Sequence, residues 1–243
     1  MKRNQVFKTH ALVMILASSF LAACSMENED DRKLAAGMAC IDEAKNEHDA
    51  DLCLQKVEGL TSKQSYLIRC SANMIAQGFT GTRVAKAFQE LKDNEGNKTA
   101  AMMSYLVFAK NLPNHTADKT LENCSLSGVN SVKGLASMIK TATFAAELAN
   151  GGSLEGTPFD PSNPDTFEPE KLKEKLEDVA QNAGPEEKQE FGNLAIIAHE
   201  SYCHEGSSMK DQDVCTKLSE AIEAGGGDPE TIGQKLLDLL KQK

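Results

Sequence analysis

Cys40-Ile41-Asp42-Glu43-Ala44-Lys45-Asn46-Glu47-His48-Asp49-Ala50-Asp51-Leu52-Cys53 reads as the closed end of an antiparallel helix hairpin. Residues equidistant from the turn of such a hairpin face each other, so a bridge between its two cysteines should be centred on the turn. The midpoint of Cys40 and Cys53 falls between Asn46 and Glu47, inside the polar run Lys45-Asn46-Glu47-His48-Asp49. Upstream, Leu34, Met38 and Ile41 recur at i, i+4, i+7 and predict a helix from about Lys33 to Ala44. Downstream, a second helix is expected from about Asp49 to Val57.

The helical period continues outward. Thr61-Ser62-Lys63-Gln64 has the spacing of a capping box and starts a third helix, with Leu67, Cys70 and Met74 on one face as far as Gly78. Val84, Ala87, Phe88 and Leu91 mark a fourth. Ala100 to Ala109 is apolar on every side except Ser104, so a central helix surrounded by the others is expected there, too short to span a bilayer. Leu112-Pro113-Asn114-His115 should break it. Two more helices are expected, from about Thr116 to Ser127 with Leu121 and Cys124, and from about Ser131 to Asn150 with Leu135, Ile139, Ala142 and Ala146.

Gly151-Gly152 and the prolines Pro158, Pro161, Pro164 and Pro169 then leave residues 151–168 without a plausible regular element. The stretch reads as a linker, or as an ordered loop that makes contacts. After it, Leu172, Leu176, Val179 and Ala180 give an amphipathic helix. Pro185 opens the next, with Phe191, Leu194, Ala195, Ala198 and Tyr202 in a stripe. Another runs from about Asp211 to Ala224 and stops at Gly225-Gly226-Gly227; Asp228 caps the last, Pro229 is its first residue, and Ile232, Leu236, Leu239 and Leu240 face inward. No period-2 strand rich in β-branched residues is present. The fold class expected is all-α, an irregular bundle or array of about ten disulfide-stapled helices, with helical regions at 34–150 and 169–243.

The first residues are of another kind. Met1 to Lys8 carries three positive and no negative side chains, Ala11 to Ala22 is an apolar run interrupted by Ser18 and Ser19, and Leu21-Ala22-Ala23-Cys24 follows. That is the charged start, short apolar middle and small-residue exit of a secretory signal. It resembles the signal of bacterial lipoproteins, whose lipobox has an aliphatic residue, two small residues and Cys; Leu21, Ala22, Ala23 and Cys24 match all four. The resemblance covers residues 1–24 and no more. It implies cleavage before Cys24, a diacylglyceryl thioether on its sulfur and N-acylation of the new terminus. More than one acyl chain then holds the protein on a membrane surface, since a single chain at about 0.8 kcal/mol per buried methylene binds only marginally. Ser25 rather than Asp after the lipidated residue implies, by the same resemblance, the outer membrane over the inner. Residues 24–33 are polar and acidic and read as a tether between lipid and body.

With Cys24 lipidated, Cys40, Cys53, Cys70, Cys124, Cys203 and Cys215 remain, an even set in an exported chain. The midpoint of Cys203 and Cys215 is Met209, beside Gly206-Ser207-Ser208, and that of Cys70 and Cys124 is Asn97, in Asp93-Asn94-Glu95-Gly96-Asn97. The expected pairs are therefore Cys40 with Cys53, Cys70 with Cys124 and Cys203 with Cys215. No Cys-x-x-Cys is present, which removes the usual redox and zinc-ribbon motifs.

The formal charge is −10, and removing Lys2, Arg3 and Lys8 with the signal takes it to −13. Such a body is not built to bind nucleic acid or anionic lipid through net charge. With no Trp and only three Tyr, it is also poor in stacking residues. Catalytic and metal patterns are weak. His199 and His204 are five apart, where two helical zinc ligands need four; His199 with Cys203 has that spacing but supplies too few ligands for a closed site. Ser137-Met138-Ile139-Lys140 and Ser207-Ser208-Met209-Lys210 fit Ser-x-x-Lys without its partner motifs. His48 and His115 stand in polar turns, and Asp160 and Asp165 lack calcium-loop spacing. No enzyme activity, metal or other cofactor is expected. The expected role is a membrane-anchored, non-catalytic envelope scaffold or protein-interaction module with a protein partner and no nucleic acid. The alternative is a carrier for a small apolar ligand between helices around Ala100 to Ala109.

Overall fold

In the computed structural model, residues 28–79, 81, 83–85, 87, 89, 98–108, 110, 113–150, 169–207, 210 and 213–240 are described. The lipobox with its leader and the stretch 151–168 lie outside the described residues. The chain is all-α: α1 Glu29–Glu43, α2 Glu47–Lys56, α3 Lys63–Ala76, α4 Lys98–Leu106, α5 Pro113–Leu126, α6 Asn130–Asn150, α7 Pro169–Asn182, α8 Pro185–Tyr202, α9 Asp213–Gly225 and α10 Pro229–Leu240. The positions described between 81 and 89 are helical as well. Three disulfides join Cys40 to Cys53, Cys70 to Cys124 and Cys203 to Cys215, with Cα separations of 5.4, 5.0 and 5.4 Å.

Helix ends follow local chemistry. Asn28 accepts from the Asp30 N–H, and Glu29, Asp30 and Asp31 fill the first turn, where negative charge complements the helix dipole. α1 therefore begins within the expected tether, four residues ahead of the expected Lys33. Asn46 Oδ1 accepts from the Asp49 N–H, while the Asp49 carboxylate accepts from Asn46 Nδ2 and the Lys45 N–H, which closes the α1–α2 turn reciprocally. Ser62, not Thr61, caps α3, its hydroxyl accepting from the Ser65 N–H. Pro113 opens α5 instead of merely ending the helix before it, because a proline at the first position sacrifices an N–H that has no partner in the helix. Gly226 and Gly227 take φ of +58° and +88°, turning the chain from α9 into the Asp228 cap of α10. Two donors from Thr231 hold the Asp228 carboxyl below its usual range.

The hub is α6 rather than the apolar stretch before it. α6 packs against α4, α5, α7 and α8, and its buried face is mostly small, with Gly134, Ala136, Ser137, Ala142, Thr143, Ala145 and Ala146 around Ile139. α4 is buried at its edge, against α6 and α7. The main core runs through Met74, Phe79, Met102, Met103, Leu106, Phe108, Ile139, Phe191 and Leu237, with the Cys70–Cys124 bridge inside it.

A second, smaller core lies at the amino-terminal side, where Val57, Leu60 and Ile68 are buried and Leu34 and Ile41 pack on them. Here the expected stripe shifts. Gly37, not Met38, faces α2 and α3; a Cβ on it would stand 2.6 Å from Val57 Cγ1, whereas Met38 is 42% exposed. Likewise Ile68 rather than Leu67 is buried in α3, alongside the expected Cys70 and Met74, and Leu237 rather than Leu236 is buried in α10. Arg69 fastens this small core by donating to the Val57 and Leu60 carbonyls at 2.8 and 2.7 Å, which also accept from the Leu60 N–H and the Ser65 hydroxyl.

Candidate functional site

The most unusual polar grouping surrounds Lys140, whose side chain is 4% exposed in the middle of α6. Its Nζ lies 2.6 Å from Asp118 Oδ1 and 3.9 Å from Glu190 Oε1, donates to Asn114 Oδ1, and stands 5.5 Å from the centre of the Phe144 ring. Two turns on, Glu147 Oε1 accepts from the Asn114 N–H at 3.1 Å, satisfying one of the free donors at the start of α5. Burial pushes the Glu147 carboxyl above its usual range, and the Asp118 charge adds to this; the Asn114 N–H and the Lys140 ammonium pull the other way. Asn114 and Asp118 come from α5, Lys140 and Glu147 from α6, and Glu190 from α8. One ammonium thus ties three helices together.

This arrangement anchors rather than reacts. The ammonium is surrounded by acceptors, so it is held in place, not presented to a substrate. The Ser-x-x-Lys match fails here in geometry as well as in sequence, because the Ser137 hydroxyl donates to the Leu194 carbonyl at 2.8 Å while Lys140 turns to α5. The second match ends in Lys210, which pairs with Glu205 at 2.9 Å.

The other residues singled out from the sequence fall as follows. Cys203 is bound to Cys215 and is no zinc ligand; His199 Nε2 instead meets the Ser219 hydroxyl at 2.9 Å, one turn from the bridge on both helices. Ser219 lies in the middle of α9, where backbone N–H groups are used within the helix, so this pair lacks donors for a developing oxyanion. His48 and His115 are exposed. Among the described residues, no group of three or more His, Cys, Asp or Glu is placed to hold a metal ion. Asp160, Asp165 and Cys24 lie outside the described residues.

The apolar stretch named as a ligand site is largely buried among its described residues, with Tyr105 half-buried. Met102, Met103, Leu106, Val107 and Phe108 are each at most 6% exposed. The chain leaving α4 is fastened from three sides. The Thr143 hydroxyl accepts from the Phe108 N–H at 2.9 Å, Gln77 exchanges two hydrogen bonds with the Lys110 backbone at 2.8 and 3.0 Å, and Arg83 donates to the Tyr105 and Val107 carbonyls. Arg83 also lies over the Phe79 ring at 4.4 Å.

The sequence pattern singles out Lys140 only as the end of a Ser-x-x-Lys match and misses it as a buried anchor, although a signal was present. Lys133, Lys140 and Glu147 are the sole charged residues of α6 and are seven apart, which sets them along one stripe of a helix otherwise made of small and apolar residues. No family profile matches this chain, and no curated protein or solved structure matches it.

Proposed function

We propose that this chain is a lipid-anchored, non-catalytic scaffold or protein-interaction module of the bacterial cell envelope, held on a membrane through acyl chains on Cys24. The cysteine account carries the reading. Three bridges consume six of the seven cysteines, and the seventh, Cys24, stands at the fourth position of Leu21-Ala22-Ala23-Cys24. Three structural bridges fit an oxidising compartment outside the cytosol. Among the described residues, no helix is long and apolar enough to cross a membrane, so a covalent lipid is the anchor this reading needs. The Lys140 anchor and the burial of Met102, Met103 and Leu106 in α4 support a rigid adaptor over a carrier of a small apolar ligand. The acidic balance of the body suits a partner of basic character.

Cys24→Ala tests the reading in the native envelope. The wild type should sediment with membranes and carry the added mass of its acyl chains. The variant should retain its leader and lose that added mass. Wild-type protein recovered unacylated, with residues 1–23 still attached, overturns the proposal.

A further inference from the structure

We propose that the α1–α2 hairpin is a redox-released spacer: cleavage of Cys40–Cys53 frees residues 29–60 from the body while the main core stays folded, lengthening the connection to the anchor. The reach part of this inference rests on the lipid-anchor reading; the release part does not.

Four observations carry it. The packing partner of the hairpin is α3, and its apolar contacts form the small second core of Val57, Leu60, Ile68, Leu34 and Ile41, separate from the main core. Gly37 is the sole buried residue of α1, so that helix contributes little burial of its own. Both helices are short, at 15 and 10 residues, and helices of this length are marginal in water without packing. Finally, the hairpin bridge is half-buried on its Cys40 side, although Cys53 is fully buried, whereas both cysteines of Cys70–Cys124 are fully buried, so a reductant has an approach through Cys40 that does not require opening the main core. Closing a loop of this length suppresses opening by about a hundredfold in the chain-entropy model, which the small core must supply alone after reduction.

The chemistry is thiol–disulfide exchange with a dithiol reductant. Its thiolate attacks Cys40 Sγ, a mixed disulfide forms, and Cys53 leaves as a thiolate that takes up a proton. The second thiol of the reductant then attacks the mixed disulfide, releases Cys40 as a thiolate that is protonated in turn, and departs as the oxidised disulfide; two electrons pass to the protein. In the oxidised protein four residues separate Cys24 from Glu29 at the start of α1, five Cα–Cα steps that span at most about 17 Å. With the hairpin released, α3 becomes the first fixed element, and the flexible connection to Lys63 averages about 35 Å.

Hydrogen exchange on the full chain tests release. Comparing oxidised wild type, dithiol-treated wild type and the Cys40→Ser/Cys53→Ser variant, amides of α1 and α2 should exchange about a hundredfold faster without the bridge, and those of α6 and α8 should not change. Unchanged protection in α1 and α2, or equal loss everywhere, overturns the proposal. Should the variant fail to fold, wild type reduced after folding and alkylated decides. Labelling at Cys40 and Cys53 with Cys70 and Cys124 still joined supports it, and labelling of all four together overturns it. For reach, the lipidated full chain is placed in phosphatidylcholine vesicles, and energy transfer from a donor on the body to a lipid acceptor should fall on reduction. Failure to bind vesicles overturns the anchor and the reach together while leaving the exchange result standing; binding with unchanged transfer overturns the reach alone.

Discussion

Gly192 of α8 and Gly233 of α10 meet where the two helices cross backbone against backbone. A Cβ on Gly233 would fall 1.7 Å from the Lys188 carbonyl oxygen and 3.0 Å from the Gly192 nitrogen; one on Gly192 would fall 1.8 Å from the Pro229 carbonyl oxygen. Main-chain atoms cannot swing aside as a side-chain tip can, so an added methyl must part the helices. Gly192→Ala and Gly233→Ala are each expected to destabilise the protein by about 2 to 3 kcal/mol. Gly59→Ala is the control. Its φ is +76° and nothing lies within 4 Å, so only backbone strain of about 1 kcal/mol is expected. Urea midpoints check the ordering; equal losses at the three sites would disprove the crossing.

Lys140 and Glu147 contribute to stability in different ways. Lys140→Met leaves the carboxylates of Asp118, Glu190 and Glu147 facing one another without their cation. The loss near neutral pH is expected to be about 2 kcal/mol, modest for a buried pair because Asp118 and Glu190 are 55% and 39% exposed. Glu147 acts in its own right. Folding raises its carboxyl above the usual 4.5, so the folded chain binds that proton more tightly than the unfolded one. Its contribution is therefore full below about pH 4.5 and is lost as pH rises through the folded value. Glu147→Gln, which keeps an oxygen for the Asn114 N–H, should gain on the wild type as pH is raised from 4.5 to 7. A constant difference in urea midpoint across that range would show that Glu147 does not titrate abnormally.

How far the sequence disclosed this molecule depends on what each residue type leaves visible. The bridges were legible because cysteines flank polar turns symmetrically, and hairpin geometry turns that symmetry into contact. Pro185 and Asp228 marked their helix starts through the same chemistry that places them there. The Gly37, Gly192 and Gly233 contacts were hidden, because a glycine that admits a neighbouring helix adds nothing to an apolar period. For that reason the stripe of α1 was read one residue off, through Met38. Lys140 was hidden because a lysine in a helical pattern ordinarily marks the wet face. The hub was misplaced because Ala100 to Ala109 is more uniformly apolar than α6, yet small residues in a longer helix let more neighbours approach.

The three bridges are not equal. Cys70–Cys124 closes a separation of 54 residues inside the main core, whereas the other two close 13 and 12 near hairpin turns. In the chain-entropy model the long loop is worth about 4 kcal/mol and the short ones about 3 each. Replacing Cys70 and Cys124 together by Ala should therefore lower the urea midpoint most, with a further loss from the cavity left by two fully buried sulfurs. Replacing Cys203 and Cys215 by Ala should lower it less. The reverse order would mean that the chain termini, and not the core, limit stability.

Ser201 presents a case where removing a polar group should help. It is 4% exposed in α8, and its hydroxyl has no hydrogen-bond partner. The approach of α6 explains why a small residue stands there, since a Cβ on Gly134 would fall 2.8 Å from Ser201 Cβ and 2.3 Å from the Tyr202 ring. The ring is fixed in turn by the Tyr202 hydroxyl, which donates to the Ser131 carbonyl at 2.6 Å and whose pKa burial pushes up to about 12. Ser201→Ala keeps the Cβ that packs on α6 and removes an oxygen whose burial is uncompensated. A gain of about 1 kcal/mol is expected, because an unsatisfied buried hydroxyl forfeits its hydration and receives nothing in exchange. Ser201→Val adds volume at a crossing already closed by Gly134 and should lose at least as much. A loss on Ser201→Ala in urea unfolding would show that the hydroxyl has a partner in solution, most simply a buried water.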